Sequence, residues 1–173
     1  ALLDTYEPYL TSEEVSLVFS DLKKFLVPFI ARIRSSKIKI YPEILRGDFD
    51  IRKQEHFGKM VAEKMGFNFK AGRLDTSAHP FTINPHSLDV RITTRYDKRN
   101  IFQSLSSIIH ETGHALYEQG LLAENFGTPL GESVSLGIHE SQSRVWENLV
   151  GKSRPFWNYF YPLLQKEFPS PFA

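Results

Sequence analysis

The sequence predicts a mainly α-helical protein with a small β hairpin or sheet beside one helix of unusual composition. Apolar residues recur at helical spacing through most of the 173 residues. Residues 67–96 differ, because glycine, proline and asparagine interrupt them and the run LDVRITTRY alternates β-branched with polar side chains. A chain of this length has room for one ordinary core, so we predict a single domain over residues 1–173.

The first two helices are predicted from the signals at their ends. Thr11 and Glu14 form a T-x-x-E capping box, and apolar positions follow at helical spacing as far as Ile33. A second helix is predicted over residues 50–65, and Gly66 marks its C-terminal end.

Helix is predicted again after the β element. Asn100 is a suitable N-cap for the segment IFQSLSSIIHETGHALYEQG. The loop NFGTPLGE separates that segment from a further helical one, SVSLGIHESQSRVWENLV, which Gly151 ends. Ser153 followed by Pro155 begins a last helix, whose aromatic residues at 156–161 we assign to the core.

Composition and charge exclude several classes of partner. The 21 basic and 20 acidic side chains leave a net charge of +1, which favours neither nucleic acid nor an anionic membrane. No apolar run reaches the roughly 18 residues of a membrane span, and the opening ALLDTYEPYL lacks the basic region of a signal peptide. The absence of cysteine excludes disulfides and cysteine-ligated zinc, and we expect a cytoplasmic protein.

The helix after Asn100 carries the pattern H-E-x-x-H. His110 and His114 lie four residues apart, which places both imidazoles on one helix face. Two imidazoles so placed can bind one tetrahedral metal ion, and Glu111 can reach a water molecule rather than the metal. The alternative is a solvated helix that carries two histidines, and its apolar neighbours argue against that. Gly113 also weakens the helix interior, which indicates that a second helix or a ligand passes close to it.

A catalytic metal site needs a third protein ligand. The downstream candidates are Glu118, Glu124, Glu132, His139 and Glu140. Glu118 lies along the axis of the same helix, too far from the histidines to join them comfortably. Glu140 lies in the next predicted helix, 26 residues after His114, and that length allows an antiparallel helix to return over the site. We therefore choose Glu140, whereas its neighbour His139 would point elsewhere, for example toward substrate.

Four ordered motifs resemble the carboxypeptidase Taq family of metallocarboxypeptidases. They are HPF at residues 79–81, D-x-R-x-T at 89–93, HETGHALYEQG at 110–120 and HESQSRVWEN at 139–148. The resemblance implies a gluzincin-like helical core and an enzyme that removes single residues from the C-termini of peptides. Family members run to about 500 residues, so the chain resembles their middle third, and we expect it to be a piece of a longer protein.

The resemblance also implies a ligand set and a cofactor. His110, His114 and Glu140 would hold a zinc ion, with cobalt as an alternative, and Glu111 would be the general base for zinc-activated water. Arg144, four residues past Glu140, would support the ligand carboxylate. Peptide C-termini are the expected partners and a homodimer is the expected assembly of the full-length protein. Much of the substrate groove, and with it the activity, is expected to depend on residues outside this chain.

Substrate contacts are predicted upstream of the histidines. A carboxypeptidase binds a free carboxylate, which arginine does best through bidentate bonds. Arg91 and Arg95 alternate with apolar residues on the predicted strand, and either can point into the cleft unless it faces solvent. Asp89 can orient a ligand histidine or pair with an arginine. His79, held extended by Pro80, is assigned to the substrate groove, with an ordinary loop histidine as the alternative.

Two other functions fit the same residues. An oligoendopeptidase of the gluzincin type shares H-E-x-x-H and a downstream helical glutamate, but it cuts internal peptide bonds. A non-catalytic helical module that only binds metal is the second alternative. Metal content, and the order in which residues leave a peptide, distinguish the three functions.

Overall fold

The computed structural model describes residues 2–39 and 41–169. Its contacts divide the chain into two units, one formed by Ala1–Tyr41 with Ser135–Gly137 and the other by Pro42–Val134 with Ile138–Ala173. Short 3-10 turns lie at Leu3–Thr5, Pro42–Leu45, Ala123–Asn125 and Pro129–Gly131. Within the two described ranges, no helix is both long enough and apolar enough to cross a membrane.

The first unit is built around one long helix, α1 (Ser12–Arg34). Its predicted start is confirmed, because the Thr11 hydroxyl accepts a hydrogen bond from the Glu14 N–H at 3.2 Å. The Glu14 carboxylate in turn accepts one from the Thr11 N–H at 3.0 Å, which completes the capping box. None of the 23 residues of α1 is buried, although an apolar stripe runs along it.

The other helices begin and end close to the predicted residues. They are α2 (Ile51–Met65), α3 (Ile101–Gln119), α4 (Leu136–Arg144) with a π-helical continuation (Val145–Val150), and α5 (Arg154–Glu167). The side chains of Asp50, Asn100 and Ser153 each accept a backbone N–H of the following turn, which confirms the predicted cap at Asn100 and the predicted start of the last helix at Ser153. Gly66 ends α2 at a φ of 112°, a left-handed conformation that favours glycine.

The predicted β element is a three-stranded sheet in the order β1-β3-β2. Its strands are β1 (Gly72–Thr76), β2 (Thr82–His86) and β3 (Asp89–Thr94). The expected hairpin is β2 with β3, which pair antiparallel with Thr82 opposite Ile92. Strand β1 adds a parallel pairing on the other edge of β3, with Leu74 opposite Ile92. The close approach of β1 to β3 requires glycine at its first position, because a Cβ on Gly72 would lie 2.2 Å from the Val90 carbonyl oxygen.

Helix α3 is enclosed by two apolar clusters. On one side Leu105 and Ile109 pack with residues of α2 and α5 around the fully buried Phe49 and Leu164. On another side Ile108 and Ala115 pack against the sheet residues Leu74, Val90 and Ile92. The prediction that the aromatic stretch of α5 enters the core is confirmed for Phe156 and Phe160. Burial on both sides fixes the helix that carries the H-E-x-x-H pattern.

Candidate metal centre

Helices α3 and α4 meet backbone to backbone at Gly113. A Cβ atom built on Gly113 would lie 2.7 Å from the Cα of Ser143 and 2.9 Å from the carbonyl oxygen of Gln142. Only glycine allows that approach, so the predicted close passage of a second helix at this position is confirmed. The two helices run antiparallel, because Glu118 contacts His139, His114 contacts Glu140 and His110 contacts Glu147.

The close approach brings three candidate metal ligands together. The Nε2 atom of His114 lies 3.2 Å from the Oε2 atom of Glu140, and the Nε2 atom of His110 lies 3.6 Å from the same oxygen. One ligand atom from each of the three residues lies within 4.8 Å of the others. A tetrahedral zinc ion with bonds of about 2.0–2.1 Å holds its ligand atoms about 3.3 Å apart, so this spacing suits such an ion.

The protonation states of the ligands also suit a metal ion. Burial, together with the neighbouring His139 and His110, lowers the pKa of His114 to about 4, so its imidazole is neutral at neutral pH. Burial alone would raise the pKa of Glu140. Hydrogen bonds from Ser143 and Arg144 outweigh that effect and hold the pKa below its usual value. A neutral imidazole and an ionised carboxylate are the forms that coordinate metals.

Glu111 lies beside the ligands and is nearly enclosed, with 7% of its surface exposed. Burial raises the pKa of its carboxyl group, while a hydrogen bond from Thr82 opposes part of that rise. The Thr82 hydroxyl lies 2.7 Å from the Oε2 atom of Glu111. Thr82 faces α3 because it stands opposite Ile92, whose side chain packs on that helix. Sequence reasoning did not identify Thr82, since nothing local shows that its strand reaches this helix.

The ring nitrogen of His110 that faces away from Glu140 has a carboxylate partner that was not predicted from the sequence. The Nδ1 atom of His110 lies 2.9 Å from the Oε2 atom of Glu147. Glu147 follows Glu140 by seven residues, a spacing of about two helical turns, and this was the signal that could have identified it. Arg144 is placed where it was predicted, with its Nε atom 2.7 Å from the Oε1 atom of Glu140.

His139 was expected to point away from the ligands, for example toward substrate, and its ring instead lies against a candidate ligand. The ring stacks on His114 with centroids 4.5 Å apart and planes inclined by 20°. Its Nε2 atom lies 2.6 Å from the Oε1 atom of Glu118, which is buried and also receives a hydrogen bond from the side-chain amide of Asn84. Glu118 is not among the three converging ligand residues, and it contacts the site only through His139.

The other predicted substrate contacts are not brought to the histidines. Arg91 and Asp89 form a bidentate pair, with distances of 2.8 and 2.7 Å. This corrects the reading of Asp89 as the partner of a ligand histidine and leaves the alternative, pairing with an arginine. Arg91 and Arg95 alternate with the α3-facing residues of β3 and are exposed, so they point away from α3. His79, in contrast, borders a groove together with His110 and Glu111.

Two helical histidines, a carboxylate from an antiparallel helix and a buried glutamate are the residue types that the H-E-x-x-H class of metallopeptidases combines. Comparison with known proteins supports this class and identifies the family. Residues 1–173 match the family model described as "Carboxypeptidase Taq (M32) metallopeptidase", and the chain belongs to this family.

Relatives in three bacteria illustrate the similarity. The chain is 45% identical over 170 residues to thermostable carboxypeptidase 1 of Thermus thermophilus and 36% identical over 172 residues to carboxypeptidase 1 of Bacillus subtilis. The crystal structure of the M32 carboxypeptidase from Deinococcus radiodurans superposes with a TM-score of 0.91 at 42% identity. These matches cover 98–99% of this chain but 33–34% of the relatives, so the chain spans about one third of their length.

Proposed function

We propose that this chain carries the catalytic metal centre of a zinc-dependent carboxypeptidase. His110, His114 and Glu140 are the proposed ligands, and Glu111 is the proposed general base. The convergence of one ligand atom from each of the three residues within 4.8 Å, beside a buried glutamate, is the observation that carries the proposal. Peptide C-termini are the proposed substrates. Zinc rather than cobalt, the homodimer and the cytoplasmic location stay predictions.

A bound zinc ion supplies Lewis acidity, which polarises the scissile carbonyl and favours deprotonation of the attacking water. The residues of the chain provide the remaining steps. Glu111 takes a proton from that water and transfers it to the leaving amine. The Thr82 hydroxyl donates to the Oε2 atom of Glu111 and thereby fixes the orientation of the carboxylate that accepts the proton. The raised pKa of Glu111 makes it a stronger base than an exposed carboxylate.

Metal analysis of matched variants tests the ligand set. The wild-type protein and Glu124→Ala, which changes an exposed glutamate, are expected to retain about one equivalent of zinc, whereas Glu140→Ala loses it. Retention of zinc by Glu140→Ala contradicts the proposed ligand set.

Glu111→Gln tests the base. This variant is expected to keep its zinc and to lose activity by roughly 10²–10⁴-fold, because the metal ligands stay and the proton acceptor is removed. Unchanged activity in a zinc-loaded Glu111→Gln protein excludes the role.

A digestion time course tests the type of peptidase. A carboxypeptidase releases single residues one after another from the C-terminus of a peptide, whereas an oligoendopeptidase releases internal fragments first. The same peptide with an amidated C-terminus is the control, and it is expected to be cut far more slowly because the free carboxylate is missing.

A further inference from the structure

Glu147 contacts the candidate ligand His110 on the side opposite to the other ligands. The Nε2 atom of His110 faces Glu140, and its Nδ1 atom lies 2.9 Å from the Oε2 atom of Glu147. The imidazole ring therefore lies between two carboxylates, and only the Glu147 carboxylate is within hydrogen-bond distance of it. With 17% of its side chain exposed, Glu147 makes this contact in a largely enclosed place.

Contacts from two helices fix the Glu147 carboxylate itself. The Ser106 hydroxyl of α3 lies 3.0 Å from its Oε1 atom, and the Nη1 atom of Arg144 lies 3.1 Å from its Oε2 atom. A carboxylate held by donors from both helices has little freedom to turn away from His110.

The backbone that carries Glu147 has an unusual conformation. Glu147 lies in the π-helical segment Val145–Val150, which Gly151 closes by donating its N–H to the Trp146 carbonyl oxygen at 2.7 Å. A π-helical turn contains an extra residue compared with an α-helical turn, so it changes the direction in which the following side chains point. Short π-helical segments occur frequently at functional sites. Here the segment presents the carboxylate to His110.

We propose that Glu147 is a positioning residue that holds His110 in the tautomer protonated at Nδ1 and thereby strengthens metal binding at Nε2. The inference rests on the proposed metal centre and adds to it a residue outside the ligand set. A hydrogen bond from Nδ1–H to a carboxylate fixes both the orientation of the ring and the position of its proton. It leaves the Nε2 lone pair directed at the place where the three ligand atoms converge, and it makes that nitrogen a better donor.

Metal affinity tests the inference directly. The dissociation constant of zinc is measured in the full-length protein by competition with a chromogenic chelator. Loss of an outer carboxylate partner typically weakens metal binding about 10–100-fold, and Glu147→Gln is expected to fall in this range. Glu124→Gln makes the same chemical change at an exposed position and is expected to bind zinc like the wild type.

The tautomer of His110 gives a readout that a merely structural role of Glu147 would not move. Nitrogen-15 NMR of the metal-free protein is expected to show His110 protonated at Nδ1 in the wild type and in Glu124→Gln. In Glu147→Gln, a mixture of the two tautomers is expected. If Glu147→Gln does not fold, Glu147→Asp replaces it, because the shorter side chain keeps the charge but withdraws it from Nδ1, and about tenfold weaker binding is expected.

The outcomes separate this inference from the proposed function. If His110→Ala loses zinc while Glu147→Gln and Glu147→Asp bind it as the wild type does, the positioning role is wrong and the metal centre stands. An unchanged tautomer in Glu147→Gln also overturns the role. If the wild type binds no zinc, or His110→Ala binds it as tightly as the wild type, both proposals fail.

Discussion

Gly113 and Ser143 mark the point where two helix backbones touch, since a Cβ on Gly113 would fall 2.7 Å from the Cα of Ser143. A glycine in a helix interior is ordinarily less stable than alanine by about 0.5–1 kcal/mol. At position 113 glycine is expected to be the more stable residue. Gly113→Ala should lower the free energy of unfolding by about 1–3 kcal/mol, because the two helices must separate to accommodate the Cβ atom. Urea unfolding measures the change. Gln103→Ala, at an exposed site of α3, serves as the control and should change it little.

The buried Glu118 is expected to contribute strongly to stability through His139. The two side chains lie 2.6 Å apart and are 6% and 19% exposed. Removal of Glu118 leaves the polar atoms of His139 and Asn84 without a buried partner, so Glu118→Ala should lower the free energy of unfolding by about 1–3 kcal/mol. Urea unfolding of the metal-free protein is the measurement. A loss no larger than that of Glu124→Ala, where the glutamate is exposed, would show that the pair contributes nothing.

His114 is expected to make the metal-free protein sensitive to acid. Its pKa is about 4 in the folded chain, against 6.5 as its ordinary value. Between these two pH values the unfolded chain binds more protons at this residue, so the free energy of unfolding rises with pH. The contribution is complete above about pH 6.5, is lost as the pH falls to about 4, and amounts to at most about 3 kcal/mol.

Urea unfolding in the presence of a chelator, at several pH values between 4 and 7, checks this expectation. In His114→Gln the same rise of stability with pH should be shallower, because the titrating group has been removed. An equally steep rise in the variant assigns the acid sensitivity to other residues.

Thr82 is expected to tune the proposed base. Its hydroxyl donates to Glu111 and opposes the rise of the Glu111 pKa caused by burial. In Thr82→Val the pKa of Glu111 should rise further, so the acidic limb of the pH profile of kcat/KM moves to higher pH. At a pH on that limb we expect roughly tenfold lower activity, equivalent to about 1.4 kcal/mol. Zinc content should not change, and Thr76→Val, at an exposed position of β1, should leave the profile in place.

Local signals in the sequence predicted most of the helices. Capping side chains at Thr11, Asp50 and Asn100 act on the backbone within three residues, so their effect can be read without knowledge of the fold. The helical spacing of His110 and His114 is equally local. Even the meeting of two helices was detectable, because Gly113 is unfavourable in a helix unless something passes close to it.

Contacts between distant segments could not be predicted in the same way. Strand β1 lacks a strong β pattern, and its pairing with β3 depends on how the chain folds back. The antiparallel return of α4 over α3 was predicted, but the register that turns the ring of His139 toward Glu118 is a relationship that neither segment encodes alone. The spacing of seven residues from Glu140 was a partial signal for Glu147, but the π-helical turn that presents its carboxylate depends on small backbone deviations that residue types do not reveal.

The enclosure of α3 by two apolar clusters restricts where this centre can acquire a new preference for substrate. Ile108 and Ile109 pack into different apolar clusters, so the size of each side chain is restricted by its neighbours. The histidines and Glu111 occupy the face of α3 that these clusters leave uncovered. Little of the circumference of the helix is left to vary. Substitutions that change selectivity are therefore expected outside α3, for example on the edge strand β2, on the loop that carries His79, or in segments beyond this chain.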